Sequence, residues 1–196
     1  MPRLLFIFFV FLLTGSPFAF SGAEPLRALY PAVIRTDPMV HDGKLSIDAD
    51  IDFPLNDELR EAAERGLPLY FTADLVVTRS RWWWFDRTVI DKAQTWRIVY
   101  NALTRQWRAG AGELSLPVSS LDEAMDMVRH IRNWAVANTE SLEHGVRYDG
   151  RLRVRLDTSF LARPFQVNAL NSSAWSPATP WADFAFSLID RGQNFQ

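Results

Sequence analysis

Three stretches of this chain alternate apolar and polar residues with a period of two. Leu45, Ile47, Ala49, Ile51 and Phe53 alternate with Ser46, Asp48, Asp50 and Asp52. Leu69, Phe71, Ala73, Leu75 and Val77 alternate with Tyr70, Thr72, Asp74, Val76 and Thr78, and Leu152, Val154 and Leu156 with Arg151, Arg153 and Arg155. Successive side chains of an extended chain point to opposite faces. Each stretch therefore has one face that must be covered and one that can meet water, which calls for antiparallel sheet over a shared core.

The second stretch runs on through Arg79 and Arg81 towards Trp84. A partner strand over 89–103 carries Trp96, Ile98 and Tyr100 on one face, with Val99 and Leu103 on the other. The two are expected to pair as a long hairpin with its tip near Phe85-Asp86-Arg87. A third strand is expected over 105–116, kinked at Gly110 and Gly112. Asp149-Gly150 reads as a tight turn, and 165–170 as a last strand before a tail that stays irregular until 181–189. Asn56 reads as the N-cap of a short helix ending at Arg65 and Gly66, with Asp57 and Glu58 in its first turn. Ser120-Leu121-Asp122-Glu123 is a capping box opening a helix to about Ala137. Pro25, Pro31 and Pro38 make 24–42 an extended lead-in. The fold class that follows is α+β, a curved antiparallel β-sheet of about six strands with two helices, in one domain over 43–190.

The first residues follow a different rule. Arg3 precedes an unbroken apolar run from Leu4 to Leu13, which Gly15 and Pro17 end. Ser21-Gly22-Ala23 places small residues for cleavage before Glu24, with a second site after Ser21. This is the layout of a secretory signal over 1–23 and implies export to the periplasm. The alternative is an uncleaved segment holding the domain at the inner membrane, although a spanning helix needs roughly 20 apolar residues.

The 196-residue chain contains no cysteine, so neither disulfides nor thiolate chemistry is available to it. A net charge of −2 does not suit nucleic acid, which draws strongly basic domains. The three histidines, His41, His130 and His144, have no metal-ligand spacing. Asp48-x-Asp50-x-Asp52 lacks the glycine and glutamate of a calcium loop and reads as a solvated strand face. No motif calls for a cofactor.

One order of features resembles a known family. It runs from Arg79-Ser80-Arg81-Trp82-Trp83-Trp84-Phe85-Asp86 through Tyr100-Asn101-Ala102-Leu103-Thr104-Arg105-Gln106-Trp107-Arg108 to the helix at Ser120-Leu121-Asp122-Glu123-Ala124. Arg153-Val154-Arg155-Leu156-Asp157 and Pro164-Phe165-Gln166 complete it. The set resembles the domain-of-unknown-function 4390 family of short exported proteobacterial proteins, over about Leu26 to Ile189. The resemblance implies no catalytic residues. It does imply a role in envelope sensing, because genes of the family are often placed near a membrane sensor kinase of the nitrogen-regulation type.

The candidate binding residues are Arg79, Arg81, Trp82, Trp83, Trp84 and Arg87 near the hairpin tip, with Trp96 and Arg97 returning along the partner strand. Trp and Arg dominate interface hot spots and stack as cation–π pairs. The competing reading is that these rings cover the end of a sheet. Three functions follow. The first is a non-enzymatic binding or accessory module for an envelope partner. The second is an envelope hydrolase using acids such as Asp86, Asp149 or Asp157. The third is a structural or peripheral membrane protein that touches lipid through exposed tryptophans or an uncleaved signal. The signal reading predicts that the protein recovered from the periplasm begins at Glu24 by N-terminal sequencing. Recovery from the membrane with Met1 intact would show the segment to be an anchor.

Overall fold

A computed structural model describes residues 30–189, apart from 82, 83 and 172. The expected signal lies outside the described residues. Strands β1 (Ala32–His41), β2 (Lys44–Asp52) and β7 (His130–Asn138) form one antiparallel sheet in the order β1-β2-β7. A second has the order β6-β5-β4-β3-β8-β9. It contains β3 (Leu69–Arg81), β4 (Trp84–Asn101), β5 (Gln106–Ala111), β6 (Leu116–Val118), β8 (Arg147–Leu156) and β9 (Ala182–Ser187). Helices α1 (Asp57–Glu64) and α2 (Leu121–Arg129) are the two expected, and α3 (Arg163–Asn171) is a third. Among the described residues no helix is long and apolar enough to cross a membrane.

The alternating stretches behave as their period requires. Leu69, Phe71, Ala73, Leu75 and Val77 are completely buried, and Leu45, Ile47, Ala49, Ile51 and Phe53 share their core. Phe53 and Phe71 meet edge to face at 5.3 Å, joining the end of β2 to the centre of the larger sheet. Each large apolar side chain buried there contributes about 1.5–3 kcal/mol.

The caps also form. Asn56 Oδ1 accepts from Leu59 N at 2.9 Å, and Gly66 follows the end of α1 with φ +93°, a conformation that favours glycine. Ser120 Oγ accepts from Glu123 N at 3.1 Å, while the Glu123 carboxylate accepts from Ser119 N at 2.7 Å.

Several local expectations are corrected. The lead-in contains β1, which pairs with β2 along its length, and Pro38 is tolerated because β1 is an edge strand. The hairpin reverses between Arg81 and Trp84, nearer the tryptophans than expected. The third strand is split in two by a turn at 112–115 that lies against Gly110. Asp149-Gly150 is not a turn but the middle of β8, where the Phe184 ring lies against Gly150. Residues 165–170 are helical. Pro164 sits in the first turn of α3, where no amide donor is needed, and Gln166 Nε2 donates to Leu161 O and Ser159 O.

The largest correction concerns α2, which ends at Arg129 rather than near Ala137. The next nine residues form β7. Ile131 and Trp134 are buried three apart, which imitates a helical stripe. The spacing comes from a β-bulge: Ile47 pairs with Trp134 but Ala49 with Ile131, so β7 carries one extra residue. Asn133 takes φ +49° there, and its amide donates to Asp48 Oδ1 at 2.7 Å.

A Cβ at position 110 would stand 1.9 Å from Leu114 O, a backbone atom. Gly110→Ala is therefore expected to destabilise the fold by about 1–3 kcal/mol, as overpacking does. Urea unfolding followed by tryptophan fluorescence measures it.

Candidate functional site

The structure divides the expected basic–aromatic cluster. Arg79 and Arg87 pair across the β3–β4 hairpin, and Arg79 also forms an ion pair with Glu143. Arg87 is exposed. Trp82 and Trp83, with the side chains of Arg81 and Trp84, lie outside the described residues. Trp96 and Arg97 sit opposite Phe71 and Tyr70, at the far end of the hairpin. Ten residues of strand separate Arg87 from Arg97, roughly 30 Å. Trp96 is 4 % exposed and belongs to the core, because period two directs it to the same face as Ile98. Arg97 is exposed on the opposite face. Neither joins a surface with the hairpin tip.

The arginines of β8 do not meet the aspartates of β2, which lie in the other sheet. They meet Asp74 of the adjacent β3. Arg153 donates to Asp74 Oδ2 from Nε at 3.0 Å and Nη2 at 2.9 Å, and Arg155 Nε donates to the same oxygen at 2.9 Å. Arg151 and Arg153 stack on Trp181 at 4.8 and 4.5 Å from its ring centre. Arg155 also pairs with Asp157 at 2.9 Å. Burial raises the Asp157 carboxyl, but hydrogen bonds from Ser159, the Arg155 charge and Thr72 outweigh it and hold it below its ordinary value. Asp157 is thus a structural anion. Asp86 and Asp149 line a separate depression of about 550 Å³ with Asp183.

On the smaller sheet Asp50 gathers the cations. Arg132 bonds to it, His130 Nδ1 lies 3.1 Å away and Arg35 Nε donates at 3.1 Å. No group of three or more metal-ligating side chains occurs among the described residues. Ser141 Oγ donates to Asn138 O at 2.6 Å.

The feature that sequence reasoning missed is an apolar groove of about 660 Å³ between α1, α3 and the short turn at 173–175. Ala62, Leu67, Pro68, Ala162, Phe165 and Trp175 form most of its lining, with Glu58, Glu61 and Arg65 along α1. The N-cap residue of α1 assembles it: Asn56 Nδ2 donates to Ala174 O at 2.7 Å. Trp175 Nε1 then donates to Glu58 Oε2 at 3.0 Å, and the Trp175 and Phe165 rings lie 6.5 Å apart. Glu61 is neutralised by Arg65 at 3.0 Å, whereas Glu58 meets only a neutral indole among the described residues. The groove falls in the size range of ligand sites. Its two walls are about a hundred residues apart in the chain, so no local pattern announces it.

The Arg132 guanidinium, and after it the His130 ring, hold the Asp50 carboxyl at about 2, below its ordinary 3.8. A carboxyl depressed on folding contributes stability above its unfolded value and loses it as pH falls through the folded one. Asp50→Asn is expected to lower the melting temperature at neutral pH. The gap to the parent protein should close as pH falls from 3.8 to about 2. Thermal melts over that range check it, and a constant gap would rule out the ion cluster as its source.

Among curated proteins and solved structures, none matches this chain. A family model does match, over residues 32–185, and its description is a domain of unknown function. The match begins at the first residue of β1 and ends inside β9, so it takes in both sheets, the arginine ladder and the groove. With most of its length matched from the first strand to the last, the chain belongs to the DUF4390 family.

Proposed function

We propose that this protein is an exported periplasmic module that binds an envelope protein without catalysing a reaction on it, and that the α1–α3 groove seats the partner. The observation that carries the reading is the groove's lining: two aromatic rings and four smaller apolar residues surround a recess open to solvent. Aromatic anchors in such recesses supply most of the energy at protein interfaces. The charge on Glu58 favours a partner segment that presents apolar side chains beside a lysine or arginine.

The sequence supports export through residues 1–23, and the resemblance to proteins encoded near sensor kinases supports an envelope role.

A photo-crosslinking residue at Phe165 is expected to capture a discrete partner in intact cells. The adduct should fall at least severalfold when Glu58→Lys is added, and a crosslinker at Lys44, exposed at the end of β2 remote from α1, should give none. Equal adducts at both positions, or none at Phe165, would overturn the groove as the seat.

A further inference from the structure

We propose that this chain associates with a second copy of itself by antiparallel pairing of β9 with β9, joining the two six-stranded sheets into one. The argument begins with the free sheet edges, which proteins blunt with proline, bulges, short strands or charge. Three of the four edges among the described residues carry such devices. β6 is three residues long and includes Pro117. β1 contains Pro38 and an irregularity between Val33 and Arg35. β7 has two register shifts against β2. The fourth edge, β9, is the least protected of them. Its register with β8 is unbroken over six residues, it lacks proline, and Asp183 is its one charged residue.

The direction of its backbone groups follows from β8. Asp157 N donates to Tyr70 O, so odd-numbered residues along this stretch turn their backbone groups towards β3. Thr179 N donates to Val154 O, so even-numbered residues turn towards β9. Tyr148, Gly150 and Leu152 therefore exchange bonds with Phe186, Phe184 and Ala182. The amides and carbonyls of Asp183, Ala185 and Ser187 point away from β8, and β9 ends the sheet among the described residues.

An axis through Ala185 makes this edge self-complementary. Asp183 of one copy falls opposite Ser187 of the other, so no like charges meet. Phe184 falls opposite Phe186 on the inner face, where both rings are already half-buried and the Tyr148 ring stacks 5.3 Å from Phe186. Cross-strand aromatic pairs stabilise such an edge, and the outward groups of three residues in each copy supply about six hydrogen bonds.

Sedimentation equilibrium of the mature chain tests the proposal. The parent protein is expected to sediment as a dimer at high concentration and dissociate on dilution. Ala185→Pro removes one outward amide while leaving the bonds to β8, so it should abolish the dimer with an unchanged circular-dichroism spectrum. If that variant fails to fold, Ser187→Asp decides. It sets an aspartate opposite Asp183 in the dimer but beside Arg147 in the monomer, and should weaken association roughly 2- to 20-fold. A parent chain that stays monomeric leaves the edge to a strand of another protein and overturns the proposal, as does a dimer untouched by the folded variants.

Discussion

β3 is the element on which the rest of the structure depends. It is bonded on one side to β4 and on the other to β8, and its five inner side chains are completely buried. Phe71, near its start, receives Phe53 from the end of β2, so the strand that organises one layer also fixes where the other layer lands. Its outer face is equally committed. Asp74 gathers Arg153 and Arg155, and Thr72 shares hydrogen bonds with Thr95 and Asp157. Asp74 is largely covered and Thr72 and Asp157 are buried, and these bonds also fix register, because a one-residue slip of β8 would move every arginine to the apolar side.

The position of β3 also creates the groove. The strand begins at Leu69, directly after Gly66, Leu67 and Pro68. Gly66 turns the chain out of α1, and the next two residues become groove wall before the strand starts. The opposite wall comes from α3 and the 173–175 turn, held to α1 by Asn56 and by the bond between Trp175 and Glu58. One asparagine thus caps a helix and ties the second wall to it.

Much of this was legible in advance, and the failures have identifiable causes. The alternation in β2, β3 and β8 and the caps of α1 and α2 are local patterns with local physics, and they held. β7 misled because an inserted residue at Asn133 gave a strand the spacing of a helix. Asp149-Gly150 misled because the glycine answers to a ring from another strand and not to a turn. Trp96 counted as a surface candidate because it is near Arg97 in the chain, yet period two sends neighbours to opposite faces. The groove gave no signal because its walls meet only in three dimensions.

The sequence by itself determined that this chain builds antiparallel sheet over one core and opens α1 at Asn56 and α2 at Ser120. Each of these follows from the spacing of residues within a few turns or strands. Only the tertiary structure decided that the arginines of β8 answer Asp74 rather than the β2 aspartates, that residues 130–138 join the smaller sheet, and that α1 and α3 enclose a groove. The reason is that strand neighbours and helix packing depend on which buried faces meet, and that is set by the whole core.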